Sequence, residues 1–141
     1  MKSEDLNLRT LTLDRPGAVA IGGTPEGYDA LLMGRLATEA APAPILYVAP
    51  DDARLANMRG CLAFFAPDIA CLKIPAWDCL PYDRISPRND LVAERIATLV
   101  AVAAGGDGPR VVLSTVNSLL QRVPPRHALA GASFALRSGA E

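Results

Sequence analysis

The chain has 141 residues, room for one domain of ordinary size and too little for two. Half of the residues are apolar and 21% are charged, a globular composition rather than that of a disordered chain. Fourteen basic against 15 acidic side chains leave a net charge of −1, which excludes a general electrostatic grip on a polyanion. Residues 1–72 carry 6 basic and 9 acidic groups and residues 73–141 carry 8 and 6, so only the second half can offer a basic face. Three cysteines, Cys61, Cys71 and Cys79, fall in no metal-binding spacing and fit buried thiols in a reducing compartment. With one histidine, His127, neither a zinc finger nor a nucleophile–histidine pair is expected. The N-terminus lacks the apolar core of a signal peptide, and no run approaches 18 apolar residues. A cytoplasmic protein outside the membrane is expected.

Short β-rich runs alternate with helical periods, the pattern of a parallel α/β sheet. A first strand is expected at Ala18, Val19, Ala20 and Ile21, central in the sheet, with Gly22 and Gly23 at its carboxyl end. A helix over residues 25–40 follows, capped by Thr24 and carrying Leu32 and Leu36 on one face. Ile45 to Val48 reads as a buried strand. A second helix over 51–65 opens on Asp51 and Asp52, which favour its positive end. Leu55, Met58, Leu62 and Phe65 form its apolar stripe. Residues 69–74 read as a third strand and the proline-bearing stretch 75–89 as a loop. A third helix over 90–104 should turn Val92, Ile96, Leu99 and Ala103 inward. Its end is marked by Gly105, Gly106, Asp107, Gly108 and Pro109. A β-branched strand at 110–115, a short helix at 116–122 and a strand around Phe134 to Leu136 complete the sequence. There is no internal repeat. The absence of a closing helix suggests a cut in a longer chain.

The loop after the first apolar run reads Gly22-Gly23-Thr24-Pro25-Glu26-Gly27-Tyr28-Asp29. Its glycines have the G-x-x-x-x-G spacing and the strand-to-helix position of a phosphate-binding loop. A working loop continues with Lys, for the β- and γ-phosphates, and Ser or Thr, for magnesium. Tyr28 supplies no cation, and Asp29 sets a negative charge where phosphate would sit. Two like charges about 4 Å apart repel by roughly 4 kcal/mol at an effective dielectric of 20. Glu26 adds to that penalty. Gly22, Gly27, Tyr28 and Asp29 therefore read as a relic loop that holds no nucleotide. The opposing reading is an active P-loop hydrolase. A Rossmann-type ligand domain is disfavoured because no G-x-G-x-x-G turn follows the first strand. Asp51 and Asp52 are better helix caps than magnesium ligands. No catalytic residue, metal site or cofactor is assigned.

Three segments carry a specific resemblance. Trp77-Asp78-Cys79-Leu80-Pro81-Tyr82-Asp83-Arg84-Ile85-Ser86-Pro87 leads into Arg95-Ile96-Ala97-Thr98-Leu99, and Val116-Asn117-Ser118-Leu119-Leu120-Gln121-Arg122 follows. Together they resemble the amino-terminal part of the bacterial transcription-repair coupling factors (Mfd family) over residues 17–138. The resemblance implies a UvrB-like first domain: a three-layer α/β body with a parallel sheet, helices on both faces and decayed P-loop NTPase motifs. It implies an N-terminal arm at 1–16, the α/β body at 17–126, and at 127–141 the start of the connection into a next domain. It further implies a non-catalytic scaffold that supports recruitment of the excision protein UvrA in transcription-coupled nucleotide excision repair. The UvrA contact would be made mainly through the following domain, and RNA polymerase and DNA would be met only through later domains. The implied parent is an ATP-dependent DNA translocase of helicase superfamily 2. In UvrB a long hairpin clamps DNA at the place of residues 75–89, and 15 residues are too few for that clamp. Trp77, Leu80, Pro81, Tyr82, Ser86, Pro87, Asn117 and Gln121 are then mainly structural. Arg84, Arg88, Arg95 and Arg122, with Arg126, are the candidate partner-binding cations.

Overall fold

The computed structural model describes residues 17–79, 84 and 86–132. The expected arm at 1–16, the strand around residue 135, and Leu80, Pro81 and Tyr82 lie outside the described residues. In chain order the elements are α1 (Tyr28–Ala40), β1 (Ile45–Ala49), α2 (Asp52–Phe65), β2 (Ala70–Ile74), α3 (Asn89–Ala104), β3 (Arg110–Thr115), α4 (Val116–Leu119) and α5 (Arg126–Ala132). The three strands form a parallel sheet in the order β1-β3-β2.

The central strand is the last of the three in sequence. All six residues of β3 are buried, and Val111-Val112-Leu113 offers bulk to both faces, as a strand covered on both sides requires. Val111 and Leu113 point to one side with Ile45, Tyr47 and Ala49 of β1, where Ala30, Ala37, Leu55, Met58 and Leu62 of α1 and α2 close the core. Fully burying such a Leu or Met stabilises by about 1.5–3 kcal/mol. Val112 and Ser114 point the other way and are also buried, so that face is covered too; α3 packs along β2, and α4 leaves directly from β3. The flanked parallel sheet is the architecture expected from the alternation of elements.

Local chemistry sets the helix ends. The Asp51 carboxylate accepts the Arg54 backbone N–H at 2.8 Å and caps α2. Thr115 accepts the Ser118 N–H at 3.3 Å and caps α4. Arg110 is nearly buried at the start of β3 and donates from Nη2 to the Pro42 carbonyl at 2.8 Å, tying the α1–β1 turn to the central strand.

Several expectations are corrected. Ala18–Ile21 is not a strand: it lies outside the sheet, with Val19 and Ile21 about half exposed. Two of those four residues are alanines, which have weak strand preference and little surface to bury, so the central place goes to β3. The first helix starts at Tyr28 rather than 25. Gly27, at φ 82°, is its N-cap, and that left-handed turn removes Thr24 from the capping position. Phe65, expected inward on α2, is 45% exposed, and Ile96, expected inward on α3, is 38% exposed. On α3 the inward places are held by Arg95, Thr98 and Leu99. Helix α4 stops at Leu119, three residues short of the expected end. Helix α5 stands where the sequence announces no helix, and its Leu129 is buried. Among the described residues no helix is long and apolar enough to cross a membrane.

At Gly34, α1 passes close against Ala66, the residue that ends α2. A Cβ built there would stand 2.9 Å from the Ala66 Cβ. Gly34→Ala is expected to push the two helices apart at a cost of about 1–3 kcal/mol. A urea melt should show a lower midpoint, whereas Gly60→Ala, with nothing within 4 Å of the new carbon, should match or exceed the parent.

Candidate functional site

The glycine loop is held from inside the chain. Glu26 Oε1 accepts a hydrogen bond from Asn57 Nδ2 at 2.9 Å, and Asp29 Oδ2 pairs with Arg54 Nη2 at 2.6 Å. The other Asp29 oxygen accepts the Ala30 backbone N–H at 3.0 Å. Asn57 Oδ1 lies 3.3 Å from the Cys61 thiol, and Gly27 backs onto Cys61 and Phe65. Arg54, Asn57 and Cys61 fall three and four residues apart on α2, so one flank of that helix meets the loop. The nearby Asp29 carboxylate raises the Arg54 guanidinium above its ordinary value, and contact with Tyr47 adds to the effect. A phosphate-binding loop presents amide N–H groups and a lysine to an incoming anion. Here the anion is a side chain of the protein, and the cation that answers it comes from another helix. Tyr28 stands partly exposed where the lysine would be. The sequence signal for Arg54 is slight: its three-residue spacing from Asn57 puts both on one flank of a helix.

A second cluster gathers the Trp77, Arg95 and Val116–Arg122 segments. Arg95 is 1% exposed. Its Nη1 donates to the Pro75 carbonyl and to Ser118 Oγ (2.8 Å), and its Nη2 donates to the Ser118 carbonyl at 3.4 Å. The Ser118 hydroxyl lies 3.0 Å and 3.1 Å from the Ile74 and Pro75 carbonyls. The guanidinium carbon sits 5.1 Å from the centre of the Trp77 ring, a cation–π stack. The Trp77 backbone N–H donates to Gln121 Oε1 at 2.9 Å. Burial pulls the Arg95 guanidinium below its ordinary value. The three segments are thus three sides of one knot joining the end of β2, α3 and α4.

The structure separates the candidate cations. Arg95 is inside the knot rather than on a surface. Arg88 is exposed and bound to Asp90 through two side-chain hydrogen bonds, which hold the Asp90 carboxyl below the usual range. Arg126 donates to the Ala103 carbonyl at 2.7 Å, and Arg84 and Arg122 are exposed. Ser86 and Asn117 are exposed, and Pro87 is half-buried. Among the described residues no three His, Cys, Asp or Glu side chains gather as a metal site would need.

No family model matches the chain. Individual relatives do. The Escherichia coli transcription-repair-coupling factor is 30% identical over 96 residues, 68% of this chain and 8% of that protein. The Haemophilus influenzae protein of the same name is 26% identical across 76% of this chain and 9% of its own length. The one from Myxococcus xanthus is 35% identical across 59% and 7%. The chain is related in sequence to one segment of the transcription-repair coupling factors. It spans less than a tenth of the length of these curated relatives. The coupling-factor resemblance and the knot rest on the same residues, because Trp77, Arg95, Ser118 and Gln121 all belong to the segments that carried it.

Arg95→Met should act through stability. It takes the charged donor from the Pro75 carbonyl and from Ser118, leaving them the Ser118 hydroxyl and the Leu120 and Gln121 N–H groups, at a cost of about 1–3 kcal/mol in all. Arg88→Ala on the exposed pair should stay within about 0.5 kcal/mol of the parent. Urea melts of the two variants measure the difference directly. For the loop, a double-mutant cycle over Asp29→Ala and Arg54→Ala should give a coupling of about 0.2–1 kcal/mol, because both side chains keep about a third of their surface in water.

Proposed function

We propose that this chain is a non-catalytic scaffold and interaction domain of a transcription-repair coupling factor. In this reading it acts in the cytoplasm, in transcription-coupled nucleotide excision repair. It supports recruitment of UvrA to a stalled RNA polymerase, while translocation by ATP belongs to the rest of the parent protein. Residues 17–126 form the body and 127–141 begin the connection to the next domain.

The observation that carries the non-catalytic part is the Asp29–Arg54 pair. Catalysis of phosphoryl transfer needs a cradle that is positive and open before the nucleotide arrives. At this loop the phosphate lysine is Tyr28, the magnesium hydroxyl is a carboxylate, and Arg54 is already engaged by that carboxylate. The relation to the coupling factors supports the repair setting. Calorimetry of the chain with magnesium-ATP is expected to show no binding up to millimolar nucleotide. Micromolar binding would favour the active-hydrolase reading. UvrA capture is expected to require the residues that follow in the parent protein, so a pull-down with the 141-residue chain alone should return none. Capture by the 141-residue chain would move the docking surface into this domain.

A further inference from the structure

Among the described residues, on the side of the sheet that carries α1 and α2, the helix layer stops short of β2. Ala49, Val111 and Leu113 are sealed beneath the two helices. At the sheet edge, β2 places Cys71 and Lys73 on that same side, in register with Val111 and Leu113, and both are only half-buried. Between β2 and the outer flank of α2 runs a groove made of two contiguous cavities of about 610 and 210 Å³, which share Arg59 and Ala63. Its helix wall is Ala56, Gly60 and Ala63, all exposed. A Cβ on Gly60 would meet nothing within 4 Å, so this chain itself does not require the wall to be low there.

The groove is lined by two cations, Arg59 and Lys73, and one carboxylate, Asp52. Arg59 stands at the middle, and no carboxylate among the described residues is within ion-pair distance of it. Burial raises the Cys71 thiol above its ordinary value, and the nearby Arg59 charge offsets part of that rise. Lys73 stands on the opposite wall with its ammonium 3.9 Å from Glu94, a loose contact. Asp52 is at one end. An open apolar wall between two cations matches an amphipathic helix with an apolar face and carboxylates along its flank. A helix is favoured over an extended strand because the vacant place continues a helix layer and has a helix for its neighbour. The low wall permits axes at the near end of the usual 8–10 Å spacing.

We infer that the groove between α2 and β2 is a docking site for an acidic amphipathic helix of a separate partner protein. Charge at a rim steers the diffusional encounter of two molecules, a gain that a segment already tethered in the same chain does not need. The inference stands independently of the scaffold reading, because it concerns the far edge of the sheet and not the glycine loop.

The test uses the 141-residue chain and a labelled 14-residue helical peptide with Leu and Ala on one face and Glu on its flank. Such a peptide is about 21 Å long, the length of α2. Fluorescence anisotropy is expected to show binding that weakens as salt rises, with amide shifts mapping to Ala56–Ala63 and Cys71–Lys73. Arg59→Glu should weaken binding about tenfold and improve binding of the same peptide with Lys in place of Glu. Gly60→Leu should abolish binding while the urea melt stays at or above that of the parent. Absence of binding, equal binding by Arg59→Glu, or shifts elsewhere would overturn the proposal. So would sedimentation showing that the groove is filled by a second copy of the chain. Protection of the groove amides by following residues in a longer form of the protein would overturn it as well.

Discussion

A guanidinium removed from water must find oxygen acceptors on several sides at once, and the region around Arg95 is arranged to provide them. The Pro75 and Ser118 carbonyls and the Ser118 hydroxyl accept its protons, and the face of Trp77 lies against its charge. These groups come from the chain leaving β2 and from the turn after β3. Meeting the needs of one side chain therefore fixes where two loops and a helix stand relative to the sheet. Among the described residues no carboxylate takes part, and the charge is met by oriented dipoles and a ring quadrupole. Such a site is demanding in geometry, because an acceptor that moves away leaves a charge desolvated and unanswered.

The same economy is seen at the glycine loop with the sign reversed. Glu26 and Asp29 are carboxylates at the positive end of α1, where anions are favoured. Asn57 and Arg54 then satisfy them from α2. What could have been a socket for a ligand is used as an attachment between two helices. Helix α2 thus binds the loop on one flank and core residues beneath, and leaves its remaining flank to the groove beside β2.

Much of the architecture was legible in the sequence. The runs 45–48, 69–74 and 110–115 announced strands because β-branched residues cluster there, and Asp51 announced the start of α2 because a carboxylate at that place can accept a helix N–H. The failures have specific causes. Ala18–Ile21 looked like a strand by position before a glycine loop, but a strand is defined by its neighbours, and none of the three strands pairs with it. Arg95 looked like a surface cation because arginine usually is one; its burial depends on acceptors 20 and 23 residues away that periodicity does not reveal. The helical period points Ile96 inward, and burial of Arg95 in its place turns it outward. The loss of phosphate chemistry at Tyr28 and Asp29 was visible in the residue types. The partner of Asp29, 25 residues away on another helix, was not.

The strand order has a consequence for the order of events during synthesis. Among the described residues neither β1 nor β2 hydrogen-bonds to the other, and each pairs with β3 alone. Ile45 is opposite Val111, so the ribosome must add 66 further residues before the first strand meets its partner. At about 5–20 residues per second the wait is roughly 3–13 s. During that interval Leu46, Val48 and the backbone of two strands have no ladder to join, while α1 and α2 can already close over Gly34. The helical layer is available as a template before the sheet exists. The middle strand arrives last, and its entry between two waiting neighbours completes both ladders at once.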